Sequence, residues 1–442
     1  MTTMTRKLGG FLATLAGRLR SDRVPDPIEV PANMDLHHSP RAARALDHLR
    51  RTIRIDVDND TAEDSARAAH FDMALTLTRQ DDWTRLAELL RLHDGRRSIT
   101  PSGRAVTDLI LDGAAHDLGT AISACGSGGT PGRTTVDDLR YALSSYEDMH
   151  REQPDDWARA VIAAEAHMAV ARQVARSARQ RRAADTTAAF VAHAQERAAA
   201  LLDTCAPSDD PAPALLLARA RLALGSADLG GSAETHLRQA IAIAPGYATA
   251  HSALCIALLP GKNGDLSRLP GVARDAMRTS RRFWGRGGYA WVFMEALQEE
   301  PATLATLDAD LFLQGINDIL DRHPRQFLAN LWTSYLGVAM APRTGWSALP
   351  PAAEAVRADL HAHAGPLMRR HLRKLHPQLW HQSGSLGPAP AAGAPYAPTP
   401  DQQTVRGADQ AFWVIGRQFE KELAKGCTIV VSDRGWQLQR GA

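Results

Sequence analysis

The densest grouping of residues that could bind a ligand lies between residues 278 and 291, which read RTSRRFWGRGGYAW. Guanidinium groups pair with carboxylates or phosphates, and aromatic rings stack on ligands or supply buried contact area. The stretch therefore fits a core of rings under arginine stems, a groove for an acidic peptide or protein, or a nucleic-acid surface. The candidate ligand contacts are Arg278, Arg281, Arg282, Trp284, Arg286, Tyr289 and Trp291.

The overall charge argues against nucleic acid as the partner. The 51 basic residues are balanced by 49 acidic ones, which leaves a formal charge of +2. A nucleic-acid-binding protein usually carries a clear basic excess concentrated on one surface. The sequence therefore favours a protein or peptide partner over DNA or RNA, and an acidic partner would suit the arginines.

No sequence pattern marks a catalytic site. The aspartate pairs at 81–82, 155–156 and 209–210 each precede an expected helix, where carboxylates satisfy free N–H groups. Adjacent side chains point in different directions, so none of these pairs forms an acid–base dyad by itself. The GxSxG and HExxH motifs are both missing from the sequence. We assign no catalytic residues, although an enzyme whose site is assembled from distant helices stays an open alternative.

Metal and cofactor sites are not predicted either. A helical metal site usually places two histidines four residues apart, but His371 and His376 are five apart. The four cysteines form no CxxC pair, which favours free thiols in a reducing cytoplasm. The glycine-rich segment 125–133 is not followed by the Lys–Ser/Thr pair of a phosphate-binding loop.

The N-terminus predicts a basic amphipathic helix within residues 6–20. Such a helix can dock on the protein body, stay frayed, or lie on an anionic membrane surface and make the protein a peripheral adaptor. A signal peptide is disfavoured because Arg18 interrupts a short apolar region. The apolar stripe consists of Leu8, Phe11, Leu12, Leu15 and Leu19.

Helical periodicity continues from residue 41 through most of the chain. The phrase DTAE predicts a helix start at Asp60 or Thr61, with Glu63 closing a capping box on Asp60. Trp83 and Trp157 each follow an aspartate pair at the start of an apolar-periodic run, which places them between packed helices.

Three further expectations concern the C-terminal part of the chain. One helix is expected over residues 350–376, and a Pro/Ala/Gly-rich linker follows it. A helix that ends at Gly426 comes next, and then a short β-hairpin in which CTIVV and GWQLQR flank SDR.

Residues 214–247 resemble a single tetratricopeptide repeat. Two helices are joined by a Gly-rich turn and end at Pro245, about one 34-residue period after Pro211. Arg221 departs from the pattern, because the family prefers a small residue there. The small and large positions of the second helix are matched by Ala233, Leu237 and Ala240, and those of the first by Leu217 and Leu224.

Beyond this repeat, the order of features resembles an uncharacterised bacterial family classed only as a domain of unknown function. The likeness rests on the phrase IAPGYATAHSALCIALLPGKNGD and the Gly-flanked helix that follows it. In this phrase His251 stands where the repeat expects an aromatic residue, and Cys255 where it expects Gly. The resemblance implies a fold and carries no known activity.

These observations predict an all-α protein: an irregular tetratricopeptide-like right-handed α-superhelix with a small C-terminal helix and β-hairpin. We expect a non-catalytic scaffold that binds a protein or peptide on the concave face of the solenoid. The expected parts are the N-terminal helix and linker (1–40), the solenoid (41–380), a second linker (381–404) and the C-terminal element (405–442).

Overall fold

The computed structural model describes residues 40–125, 133–181, 185–205, 212–226, 230–262, 264–342, 349–384 and 399–440. Contacts divide the chain into two compact units. The central unit is Asp60–Arg325, and the terminal unit combines Met1–Asn59 with Gln326–Ala442. The predicted amphipathic helix at 6–20 and the Gly-rich segment 126–132 lie outside the described residues.

The described chain begins in the terminal unit with helix α1 (Pro40–Thr52) and two short strands, β1 (Ile53–Arg54) and β2 (Asp56–Val57). The central unit then consists of helices. They are α2 (Ala62–Arg79), α3 (Trp83–Gly95), α4 (Val106–Ala114), α5 (His116–Cys125), α6 (Arg133–Glu152), α7 (Trp157–Arg181), α8 (Asp185–Asp203), α9 (Pro213–Gly225), α10 (Gly230–Ile243), α11 (Ala248–Ala257), α12 (Leu269–Trp284), α13 (Gly287–Glu299) and α14 (Ala309–Arg322). Three 3₁₀ turns lie at Pro260–Lys262, Leu266–Arg268 and Pro301–Thr306.

The chain returns to the terminal unit at residue 326. The elements there are α15 (Gln326–Ser334), a π-helical turn (Tyr335–Ala339), α16 (Pro351–Ala362), α17 (Ala364–His371), β3 (Lys374–Leu375), α18 (Pro377–Gly384), α19 (Pro400–Gln418), α20 (Glu420–Ala424), β4 (Cys427–Ser432) and β5 (Gly435–Arg440).

The aspartates placed before Trp83 and Trp157 do cap helices, as predicted. The Asp82 carboxylate accepts the N–H of Arg85 at 3.2 Å, and the Asp156 carboxylate accepts the N–H of Ala158 at 3.0 Å. The expected capping box on α2 is shifted by one residue. Thr61 is the N-cap and Asp64 its partner, because Glu63 is fully buried and turns its carboxylate inward.

The resemblance to a repeat is supported at the level of local structure. Residues 214–247 contain the helix pair α9 and α10, which pack on each other, and α10 ends before Pro245 as predicted. Ala233, Leu237 and Ala240 are buried, with at most 1 % of each residue exposed. The described protein is therefore mostly helical with many packed helices, which is compatible with a helical-repeat protein.

The terminal unit contains strands that periodicity did not predict. The predicted hairpin is confirmed, with β4 antiparallel to β5, but β1 also pairs in parallel with β4, and β2 with β3. Strands of two residues leave almost no periodic signal in the sequence.

The helix expected over 350–376 is two helices separated at His363. Pro366 accounts for the break, because its ring excludes a continuous hydrogen-bond ladder with Ala362 and is tolerated only in the first turn of a new helix.

Three thiols, Cys205, Cys255 and Cys427, are buried and free in the described structure. None of the described helices is both long and apolar enough to cross a membrane. The predicted cytoplasmic location and the predicted domain boundaries stay predictions.

His251 makes part of the central unit sensitive to acid. The ring is fully buried, and its Nδ1 lies 2.9 Å from the Tyr247 carbonyl oxygen. Burial lowers the pKa of His251 to about 4, whereas an unfolded histidine titrates near about 6.5. Folding therefore favours the neutral ring, and stability falls as the pH drops from the unfolded pKa towards the folded one.

We expect the substitution His251→Phe to reduce this acid sensitivity, because the phenyl ring does not titrate. Between about pH 7 and pH 5, protonation of His251 in the unfolded state costs the wild type about 2 kcal/mol of unfolding free energy. Urea unfolding at both pH values measures the difference, and the other histidines cancel in the comparison. An equal loss in both proteins would show that His251 does not contribute.

Candidate functional site

The predicted ligand contacts lie on the hairpin formed by α12 and α13. Helix α12 is capped at its C-terminus by Gly285, whose φ of +64° favours glycine and whose N–H donates to the Arg281 carbonyl at 3.0 Å. The two helices approach closely at Gly288, where an added Cβ would lie 2.4 Å from Ser280 Oγ. This close approach packs α12 and α13 into a tight hairpin.

The three aromatic candidates are core residues. Trp284, Tyr289 and Trp291 are 1 %, 0 % and 3 % exposed. The ring centroids of Trp284 and Trp291 are 5.6 Å apart, and the Tyr289 hydroxyl accepts the N–H of Asp308 at 3.1 Å. A ligand at the surface of the hairpin would therefore meet the arginines and not these rings.

The arginines lie at the surface. Arg278 forms an ion pair with Asp275. Arg281, Arg282 and Arg286 are exposed, and no carboxylate forms an ion pair with them among the described residues. We call these three residues the arginine surface. Arg281 and Arg282 also stand in the last turn of α12, where positive charge complements the helix dipole.

Other arginines of the central unit near this hairpin do form ion pairs with carboxylates. Arg238 and Arg268 both bind Glu234, at 2.9 and 3.0 Å, and Arg274 lies 3.6 Å from Asp308. Asp318, next to the arginine surface, accepts the backbone N–H of Arg286 at 2.8 Å.

A second candidate site, which sequence reasoning missed, is a cleft of about 780 Å³ within the central unit. It is lined by residues of α2, α4, α7, α8, α9 and α11 and of the adjoining loops. Six cationic and three anionic side chains line it: Arg67, Arg104, Arg172, Arg176, Arg221 and Lys262, with Asp108, Asp112 and Glu165.

Arg221 is the structural centre of this cleft. Its Nη1 donates to Asp108 Oδ1 at 2.8 Å, and its Nε donates to Glu165 Oε1. Arg172 lies 3.6 Å from the other oxygen of Glu165. Burial opposes the charged guanidinium, but the two carboxylates outweigh it and hold the pKa of Arg221 above its ordinary value. Arg221 therefore ties α9 to α4 and α7.

Two further arginines of the cleft are also neutralised. Arg67 donates to the buried carboxylate of Glu63 at 2.8 Å, and Arg104 pairs with Asp112. Arg176 and Lys262 differ, because neither has an ion-pair partner among the described residues. The Lys262 ammonium instead donates to the Leu224 carbonyl at 2.6 Å.

One signal in the sequence pointed to this cleft. Arg221 stands where the repeat pattern prefers a small residue, and the structure shows that its side chain binds two carboxylates 113 and 56 residues away in sequence. No local spacing in the sequence connects positions so far apart. The unusual residue at position 221 of the repeat was therefore the sequence feature that indicated this cleft.

A buried histidine paired with a glutamate is relevant to the alternative that the protein is an enzyme. His167 Nε2 lies 3.0 Å from Glu147, which also accepts two hydrogen bonds from Arg197. Burial lowers the pKa of His167 in spite of the opposing effect of Glu147. The described residues contain no group of three or more histidine, cysteine or acidic side chains arranged to hold a metal.

The burial of the predicted contacts leads to a stability test. We expect Trp291→Ala to lower the free energy of unfolding by about 3–5 kcal/mol, because it leaves a cavity in the core. Arg281→Ala should change the same quantity by less than about 0.5 kcal/mol, because its side chain is exposed. Urea unfolding of both variants at neutral pH checks this, and similar losses would contradict the placement.

Comparison with known proteins adds no relative. The chain matches no protein-family model, no curated protein and no solved structure. The likeness to a tetratricopeptide repeat therefore rests on the residues of 214–247 and on the packed helix pair they form.

Proposed function

We propose that the central unit is a non-catalytic binding scaffold that captures a protein or peptide partner through an acidic segment. The arginine surface is the contact region, and the buried rings beneath it are a rigid support. The observation that carries the proposal is that Arg281, Arg282 and Arg286 are exposed and have no ion pair among the described residues, whereas Arg274 and Arg278, earlier on α12, are paired.

Unpaired guanidinium groups favour an acidic partner because they can form ion pairs with its carboxylates. Each exposed arginine–carboxylate pair contributes about 0.2–1 kcal/mol, and the energy is screened by salt. Three such pairs give weak to moderate affinity and strong dependence on ionic strength. The free protein loses no internal ion pair when these side chains turn towards a partner.

The support under the arginines limits the entropy lost on binding. Trp284 is almost completely buried, and its ring packs edge-on against His323 at a centroid distance of 4.6 Å. His323 in turn stacks on Phe283 at 4.8 Å, so the backbone that carries Arg281 and Arg282 is anchored from below. A pre-ordered backbone leaves only side-chain rotamers to fix. A superhelical arrangement with this surface on its concave face is part of the proposal.

The test uses a fluorescein-labelled peptide of ten glutamates and fluorescence anisotropy at low salt. We expect saturable binding to the full chain and at least about tenfold weaker binding to the double variant Arg281→Glu/Arg282→Glu, because two attractions become repulsions. Binding to the wild type should also weaken steeply as salt is added.

The matched control is Arg85→Glu/Arg96→Glu, which makes the same change in net charge at two exposed arginines of the same unit. It should bind the peptide about as well as the wild type. Equal weakening in both double variants would show that only net charge matters, and this would overturn the assignment to the arginine surface.

A further inference from the structure

The cleft around Arg221 combines two kinds of lining. Charged side chains from α2, α4, α7 and α9 meet a set of apolar ones from α4, α7, α8, α9 and α11. An extended acidic peptide binds through ion pairs alone. An apolar wall instead favours a ligand that has an apolar part to bury away from water. The apolar lining consists of Leu111, Met168, Ala171, Ala175, Val191, Leu222, Leu224 and Ile256.

The charges of the cleft do not balance. The carboxylates of Asp108, Asp112 and Glu165, together with Glu63 behind Arg67, match four of the six cations. The cations left without a carboxylate are Arg176 and Lys262. Within the described residues the cleft therefore carries an excess of two positive charges.

The size of the cleft sets the scale of the ligand. A volume of about 780 Å³ falls within the range of about 300–1,000 Å³ that is usual for small-molecule sites. The floor is also preorganised, because Arg221 is held by Asp108 and Glu165 and does not need to move. A ligand would replace solvent around Arg176 and Lys262 and leave the internal ion pairs intact.

We infer that this cleft binds a small organic dianion with an apolar body, whose two negative charges pair with Arg176 and Lys262. A phosphate monoester and a dicarboxylate share this chemistry, since guanidinium and ammonium groups bind both. The inference goes beyond the proposed function, and the cleft shares no residue with the arginine surface.

The experiment is isothermal titration calorimetry on the full chain at about pH 8, where a phosphate monoester is a dianion. The probes are naphthyl phosphate and naphthalene dicarboxylate, which are dianions, and naphthalene sulfonate, a monoanion of similar body. Inorganic phosphate supplies the charge without the body. We expect one site per chain for the preferred dianion, at least about tenfold tighter than for the sulfonate or for inorganic phosphate.

Two variants test the assignment of the charges. Arg176→Gln and Lys262→Gln should each weaken binding of the preferred dianion about tenfold, which corresponds to the loss of one charge-assisted contact of about 1.4 kcal/mol. Arg176→Gln should unfold at the same temperature as the wild type, because the exposed Arg176 has no ion pair to lose among the described residues. Lys262→Gln also loses the hydrogen bond to the Leu224 carbonyl, so its affinity is measured well below its own unfolding temperature. The control Arg96→Gln removes an exposed charge outside both the cleft and the arginine surface, and it should leave the affinity unchanged.

The relative affinity of the two dianions identifies which headgroup the cleft prefers, and either preference supports the inference. Absence of saturable binding by both dianions would overturn it. So would equal affinity for inorganic phosphate, or unchanged affinity in both cleft variants. Competitive displacement of the bound dianion by the ten-glutamate peptide would assign the cleft to an acidic peptide and also overturn the inference. Failure here leaves the arginine surface untouched, because its test uses other residues.

Discussion

The ion pairs of Arg221 join three packed helices of the central unit at the cleft. One guanidinium on α9 binds Asp108 on α4 and Glu165 on α7, and Arg172 approaches the same Glu165. Glu165 is 5 % exposed and Asp108 is 13 % exposed, so removing their partner would leave charges in a poorly hydrated place. The cleft keeps its shape because these helices are fixed to one another.

Ion pairing within the fold also distinguishes the cleft around Arg221 from the arginine surface. In the cleft around Arg221 most cationic side chains form ion pairs with carboxylates of the protein. Among the described residues only Arg176 and Lys262 have no carboxylate partner, so these two are available to a ligand. At the end of α12 and the start of α13 the fold is held by buried rings, and Arg281, Arg282 and Arg286 form no ion pair among the described residues. The presence or absence of a carboxylate partner within the fold thus determines which cations are available to a ligand.

Much of the local structure was predictable from the sequence, because helix periodicity, aspartate caps and the terminating Pro245 act over a few residues. The capping box was misplaced by one residue, since the choice between Glu63 and Asp64 depends on Thr100 and Ser102, which bind Glu63 in the core. The cleft was not predictable because it too depends on contacts between residues that are distant in sequence. Its charges come from positions 67 to 262, and only the folded chain brings them together.

A double-mutant cycle between Arg221 and Glu165 tests the central claim most directly. The variants Arg221→Met, Glu165→Gln and the two combined would be unfolded with urea at neutral pH. If the pair ties α9 to α7, the single variants each lose stability and the double variant loses at least about 2 kcal/mol less than their sum. Additivity within about 0.5 kcal/mol would show that the two side chains do not interact, and would contradict the account.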